Sequence, residues 1–592
     1  MEALAIQLAQ HGAVLKELQT QLEKNEMKKQ PILALCVYLL GMCVMPGGYA
    51  AVDIGAYRYT TQAAPILTVN GRQERLTLYP GQRFNVQVEL DAATENGTTA
   101  DWWLVGAVGE NLFSWQAATQ TWQAGLHAAA QLPLAEVNVP LLRDLSLPTG
   151  EYDLYFGVDM TPNGSLDMAT LRVATVHLSV LGGIKRILAV SPQGNDANPG
   201  DLQRPWKTLA KATASVQPGD LVWVRGGTYK EQMILQTSGS ATAPIIFAAY
   251  PGEQAIVDGS GVSLKRPQPG PPFDGVIHLF NVKHIRIVGF TVKNTANVGI
   301  MGYQTDFLTL QDNLISDSAS SGIAVWKSTN LLVDGNEVVR ANNSLDQENI
   351  SIGEDVKFFE IAYNHVHHSS GVSNRNGGEG MDIKDGSSDG KIHHNHVHDI
   401  PAKLCMYVDA WNGLSENLEI YQNRLHDCAA HGLAITAENG GQLRNINVYN
   451  NLMYNNSITG VHIGAGYQPV TDGVKIYNNS FYNNGVGNDF GASVVVKNSK
   501  AKNIQIFNNA CDSTVAQISI LTSVTNLTIK NNLFARAQDK WNGEQNGDSY
   551  VVGKPLWVNP AAGDFRLLPG SPAIGKGSAG LVPTVDFRGV GH

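Results

Sequence analysis

The chain has 592 residues, with 42 Lys and Arg against 52 Asp and Glu, a formal net charge of −10, only 16% charged residues and 60 glycines. Such a length accommodates a large core and more than one domain, and the acidic balance argues against nucleic acid as a partner. Low charge with abundant Gly, Asn, Ser and Thr suits an extracellular β-rich protein, and there is no P-loop, dinucleotide-binding glycine pattern or zinc-spaced Cys/His set.

Residues 1–26 read as a helix-prone stub, and the expected native start is Met27. Residues 27–50, MKKQPILALCVYLLGMCVMPGGYA, have two lysines, an apolar run at 31–45 and a small residue at Ala50, the pattern of a secretory signal. The run is about 15 residues, short of the about 20 that span a bilayer. The expectation is export to the periplasm, cell surface or medium with no membrane contact after cleavage, and the rival is an uncleaved anchor. Cys36 and Cys43 fall inside the leader; Cys405, Cys428 and Cys511 remain and are expected to be buried thiols rather than a disulfide framework.

Residues 60–182 read as a separate all-β, sandwich-like domain, with strand-like RFNVQVEL, WWLVGAVG, YDLYFGVD and LRVATVHLSV between turns. Trp102, Trp103, Trp115 and Trp122 are either sandwich core or a platform for sugar rings. From 187 to 592 a second architecture takes over. Residues 207–215 form a short amphipathic helix that caps its open end, and PLWVNPAAGDFRLLPGSPAIGKG closes the other.

Between them runs a repeat: short apolar strands, each followed by Asn and another apolar residue. The marker falls at Phe290, Asn313, Asn336, Asn364, Asn395, Asn423, Asn451, Asn479, Asn509 and Asn532, at steps of 23, 23, 28, 31, 28, 28, 28, 30 and 23 residues. One such unit cannot bury its own apolar face, so the units must stack as a parallel β-solenoid. Asn is suited to the turn because it tolerates left-handed backbone angles and its amide bonds the equivalent amide one rung away.

The stretch 190–229, with its GNDANPG, RPWKTLAKA, PGD and VRGGTY pieces, resembles the opening of secreted right-handed parallel β-helix proteins, among them polysaccharide lyases of the pectate lyase type. AYPGEQAIVDGSG and GDFRLLPGSPAI fit the same superfamily, so the resemblance covers roughly 187–577. It implies an all-β, right-handed parallel β-helix and a polysaccharide as partner. It carries over no catalytic residue, because the calcium-site pattern of those lyases is not clearly present. The segment PTGEYDLYFGVDMTPNG resembles accessory β-sandwich modules of secreted bacterial proteins.

Side chains alternate along a strand. Aligning the coils turns Ile383, Val408, Ile435 and Ile463 inward. Asp382 and Lys384, then Tyr407 and Asp409, then Thr436 and His462 face solvent, with Asp385, Trp411 and Glu438 just past the strands. Tyr407 stacks over Asp382 and Asp409 over Lys384, as a cross-rung ion pair. Asp382 to Asp409, and Asp409 to Glu438, are each one rung across and two residues along, roughly 8 Å, which suits two carboxylates with water between them. Trp411 offers a stacking face, and His431, His462 and Asp385 further substrate contacts. The same cluster suits β-elimination, with Lys384 or Tyr407 as base and calcium held by Glu379, Asp382, Asp385 and Asp409. Insertions at 341–349 and 369–379 would wall a groove, and Glu354 and Asp355 would extend it. Histidines in NHVHHSSG and HHNHVHD (His365, His367, His368, His393, His394, His396 and His398) have the chemistry of a transition-metal site, although several fall in turn-flanking columns.

Resemblance favours a polysaccharide lyase, whereas the local carboxylates favour a glycoside hydrolase. A non-catalytic glycan-binding surface β-helix or adhesin is the alternative from outside enzymology.

Overall fold

The computed structural model describes residues 52–267, 273–369, 376–466, 469–486, 490–513, 515–537, 543–578 and 583–590. The stub and leader at 1–50 lie outside the described residues, as does part of the 369–379 insertion. Residues 51–592 form one compact unit.

Among the described residues, three long parallel sheets run the length of the coil. One has 13 strands, from Arg186–Val190 to Thr525–Lys530; another 13, from Gly227–Tyr229 to Val551–Val552; the third 11, from Met233–Leu235 to Ala516–Ile520. Each strand pairs in parallel with the one a coil later, so inward residues stack in columns such as Ile245, Ile285, Leu308, Leu331 and Phe359. These are all 3% exposed or less. Full burial of each such side chain stabilises by about 1.5–3 kcal/mol, so the column outweighs any surface contact. Volume is balanced rung by rung. Phe359 lies over Gly390, where a Cβ would sit 2.0 Å from the ring, so only glycine fits beneath it.

The asparagine column is continuous. The Asn313 side-chain amide donates to Asn336 Oδ1 at 2.9 Å, Asn336 to Asn364 at 3.0 Å, Asn364 to Asn395 at 2.9 Å, and the chain of bonds continues to Asn532. Each side-chain carbonyl also takes the backbone N–H of the preceding marker. One expectation needs correction. The left-handed residue is not the ladder asparagine but the one before it: Asp312, Gly335, Tyr363, His394, Gln422, Asn450, Asn478, Asn508 and Asn531 all have φ between 52° and 65°. The turn tolerates many side chains there, while the next position must be Asn because its amide is fully buried and fully bonded.

The thiol expectation also fails: Cys405 and Cys428 form a disulfide, with Cα atoms 5.6 Å apart. Cys428 ends the strand Arg424–Cys428 of the second sheet, and Cys405 immediately precedes Met406–Ala410 of the third. They meet on neighbouring rungs at one corner. A separation of 23 residues, read in a linear chain as no framework, is close to one turn of the coil. Cys511 is a buried free thiol.

Strands from Ala64 to Val180 build two sandwich-like sheets, of three and seven strands. The tryptophans belong to this packing: Trp103 is buried, Trp115 and Trp122 meet edge to face at 5.5 Å, and Trp102 lies on the sandwich core. Arg72 docks this layer on the coil through Asp312 and Asp334, an ion triad in which Arg72 and Asp334 are buried and Asp312 is half-buried. The helical cap is Leu209–Ser215, whose Thr208 hydroxyl accepts the Lys211 N–H at 3.0 Å. Trp557–Asn559 and Asp564–Leu567 form the closing hairpin.

Substituting Asn423→Ala removes the acceptor of the Asn395 N–H and the donor to the Ile392 carbonyl. At about 1–3 kcal/mol per orphaned buried group, the denaturation midpoint should fall sharply, whereas Lys391→Ala on the exposed face of the strand Ser388–His393 should leave it within error. Equal effects of the two would refute the role given to the ladder.

Candidate active site

Five consecutive strands of the third sheet, Ile350–Gly353, Met381–Ile383, Met406–Ala410, His431–Ala437 and Thr459–Ala465, carry the candidate residues. Their register puts Ser351, Asp382, Tyr407, Ala434 and His462 in one outward column. Ile383, Val408, Ile435 and Ile463 form the inward column, each 0% exposed. Asp409 pairs with Thr436, so Glu438 is one rung across and two residues along from it. The alternation therefore places Asp382, Tyr407 and Asp409 on the outer wall.

Outward does not mean solvated. Asp382 is 2% exposed and Asp409 8%, and Glu348, in the insertion before Ile350, is itself only 3% exposed. Lys384 Nζ sits 2.7 Å from Glu348 Oε1 and 3.6 Å from Asp382 Oδ2, not in an ion pair with Asp409 as expected. Gly353 on the preceding rung makes room for it; a Cβ there would be 2.7 Å from the Lys384 Cβ. Glu348 was missed because it lies in an insertion without periodicity. An acidic residue just ahead of an outward-facing strand was the only signal.

Four acidic residues, Glu348, Glu379, Asp382 and Asp409, thus crowd round one ammonium, and Glu438 lies beside Asp409. Four buried carboxylate oxygens, Glu348 Oε2, Glu379 Oε2, Asp382 Oδ1 and Asp409 Oδ1, have no donor among the described residues. Burial, then Glu348, pushes Glu379 up to about 7. Burial also takes Asp409 to about 7, with Lys384 opposing and Glu438 adding to the rise. Asp382 is raised well above the carboxylate range, again chiefly by burial. Burial would lower Lys384, but Glu348 and Asp382 outweigh it and hold the amine protonated above its ordinary value. Tyr407 is raised by burial and by donating a short hydrogen bond to Glu438 Oε1. Neither Lys384 nor Tyr407 gives up its proton easily in this state, whereas Asp409 and Glu379 exchange theirs near neutrality.

The remaining candidates divide. Trp411 is 52% exposed beside the cluster. His431 and His462 stack at 4.4 Å, with His431 Nδ1 bonded to Thr459 Oγ1 at 2.8 Å; burial lowers them to about 3 and about 4, so both are neutral. Asp385 instead accepts the backbone N–H groups of Asn412 and Gly413 and fastens the turn of the next coil. Glu354 forms an exposed pair with Lys327, and both Glu354 and Asp355 lie in the left-handed region, in a turn outside the cluster. The calcium set Glu379, Asp382 and Asp385 does not converge: among the described residues, groups of three ligands within 4.8 Å of one another occur only around His365. The chemistry of the oxygens suits a hard cation, but Lys384 stands among them and Asp385 is engaged elsewhere.

The profile of Pel9A-like right-handed β-helix regions matches residues 188–359, and that of right-handed β-helix regions matches 274–451, which includes the whole cluster. The uncharacterized protein YwoF of Bacillus subtilis (strain 168) is 26% identical over 165 residues, 27% of this chain and 30% of that protein. Pectate lyase PEL9 of Emericella nidulans is 31% identical over 107 residues, 16% of this chain and 25% of the lyase. The chain thus spans under a third of the length of these relatives. The crystal structure of pectate lyase Pel9A covers 69% of this chain and 96% of its own, at 16% identity and a TM-score of 0.43. Residues 188–451 thus match models of right-handed β-helix regions, one of them Pel9A-like, in keeping with the three parallel sheets of the coil.

Proposed function

We propose that this protein cleaves glycosidic bonds of an extracellular polysaccharide lying across the coils at Asp409 and Glu438, and that it does so by hydrolysis. The observation that carries the reading is the division of labour between these two carboxyl groups. Asp409 holds a proton to about pH 7, while Glu438 is fixed by the Tyr407 hydroxyl as an acceptor. Asp409 donates its proton to the glycosidic oxygen as the bond breaks. Glu438 takes a proton from the water that attacks the sugar carbon from the opposite face. Their offset of one rung and two residues, roughly 8 Å by strand geometry, matches the spacing that leaves room for that water. Lys384, clamped by Glu348 and Asp382, offsets the negative charge that would otherwise lock the acids in their protonated form. Trp411 offers a sugar ring an exposed aromatic face.

Elimination is the second reading, supported by the 31% identity to a pectate lyase over 107 residues and by the excess of carboxylates. That step would need Lys384 or Tyr407 first deprotonated, so that it takes the proton beside the uronate carboxylate as the glycosidic C–O bond breaks, with a calcium ion neutralising that carboxylate. Export belongs to the same proposal, and the leader at 27–50 supports it. Amino-terminal sequencing of protein recovered from the periplasm or medium should begin near residue 51; a chain still carrying the leader would argue for the anchor.

A glycan panel digested with and without chelator separates the chemistries. Hydrolysis yields new reducing ends with no ultraviolet absorbance from unsaturated uronates and no chelator sensitivity. Asp409→Asn and Glu438→Gln should each lower kcat by at least about 100-fold with substrate still bound; turnover at the native rate in either would end the proposal. The proton on Asp409 can be tested apart from activity. Its folded pKa lies above its ordinary 3.8, so its contribution to stability is complete below that value and is lost as pH rises through about 7. The thermal midpoint of Asp409→Asn relative to the native chain should therefore climb between pH 5 and pH 8. A difference that stays flat would show that the group is ionised throughout.

A further inference from the structure

The second sheet carries a cluster that the proposed reaction does not use. Its outward face presents two columns of imidazoles. His365 stacks on His396 at 5.0 Å in one. In the other, His367 stacks on His398 at 5.3 Å and His398 on His426 at 5.0 Å, ending on Tyr454 at 4.4 Å. The strand register sets this arrangement, pairing His365 with His396, His367 with His398 and His398 with His426.

Ring stacking explains the columns but not the contacts between them. His365 Nε2 lies 2.8 Å from His398 Nε2, and His396 Nε2 lies 2.7 Å from His426 Nε2. The far nitrogens of the second column are occupied. His398 Nδ1 is 2.6 Å from Asp399 Oδ2, and His426 Nδ1 is 2.5 Å from Asp427 Oδ2. A carboxylate can only accept, so Nδ1 carries the hydrogen in each neutral ring and Nε2 presents its lone pair. Both aspartates reach back because they lie in the left-handed region, at φ 51° and 53°, one residue past each histidine. A carboxylate behind a histidine whose other nitrogen points at a common centre is the outer-shell arrangement of metal sites.

We propose that His365, His396 and His398 bind one transition-metal ion, of the class that zinc represents, on the outer face of the second sheet. One ring nitrogen from each lies within 4.8 Å of the others, and all three are half-buried and open to solvent. Zinc–nitrogen bonds of about 2.0–2.1 Å in a tetrahedron set ligand nitrogens about 3.3 Å apart, so the His365–His398 pair, now at 2.8 Å, needs to open by only about 0.5 Å. His426 Nε2 stands 2.7 Å from His396 Nε2 but lies outside that convergent set of three. Arg424 follows His396 in its column, but its guanidinium is turned to the Gly563 carbonyl at 3.5 Å. Glu337, His365 and His367 form a second convergent set one rung earlier and share His365 with the first. The site stands on another face of the coil from Asp409 and does not depend on the hydrolytic reading.

Untagged protein stripped with chelator and titrated with Zn2+ by calorimetry should bind one equivalent, with Ca2+ unable to compete. His398→Gln with His396→Gln should abolish that equivalent. Asp399→Asn, an exposed change that leaves every ligand in place, should weaken it by about 10–100-fold; this variant decides the matter if the double variant does not fold. Asp409→Asn should bind as the native chain does. No Zn2+ uptake by the native protein, native affinity in Asp399→Asn, or uptake lost in Asp409→Asn would each overturn the proposal.

Discussion

Everything in the coil depends on one repeated hydrogen bond: the buried asparagine amide that joins each rung to the next. Neighbouring strands in a parallel sheet can slip by a residue, and a slip of one would turn every inward side chain outward. The asparagine column prevents this because a buried amide has no acceptable partner except the carbonyls and amide of its own corner. Apolar columns supply most of the free energy, but they tolerate displacement along the strand far better than the amide does. Burial stabilises the coil, and the asparagines set its register. Only with a fixed register can side chains on three different turns, hundreds of atoms apart along the chain, be held in one chemical group.

The acidic cluster shows what that rigidity permits. Four buried carboxyls around one ammonium are costly unless some stay protonated or a positive charge is brought in. The scaffold holds them there anyway, because the strands beneath are locked. The raised affinities of Asp409 and Glu379 for protons follow from burial imposed by the frame. The histidine columns on the second sheet use the same frame differently, with imidazole rings at stacking distance and carboxylates set behind them. Two faces of one spiral thus carry opposite solutions to crowding polar groups.

Much of this was legible in the sequence, for a physical reason: in a solenoid, proximity in space follows from a fixed offset in the chain. The marker steps gave the rungs, and strict alternation gave the wall on which Asp382, Tyr407 and Asp409 lie. What escaped detection was whatever broke the periodicity. Glu348 sits in an insertion whose path no repeat dictates, so its reach to Lys384 was not predictable. The Cys405–Cys428 pairing was missed by counting residues along the line instead of around the turn. Asp385 looked like a cation ligand because nothing in its own coil shows that the next coil offers two backbone amides to it.

The Cys405–Cys428 bond has a consequence for how the molecule comes apart. In a stack where each turn touches only its neighbours, structure is lost by peeling from the two open ends. A covalent staple between adjacent turns halts that peeling, because neither turn can leave without the other. It sits at the corner from which the strand bearing Tyr407 and Asp409 departs. Partial melting from either terminus should therefore stall on each side of the same short barrel, leaving a trimmed remnant centred on the carboxyl groups when both ends have already been lost.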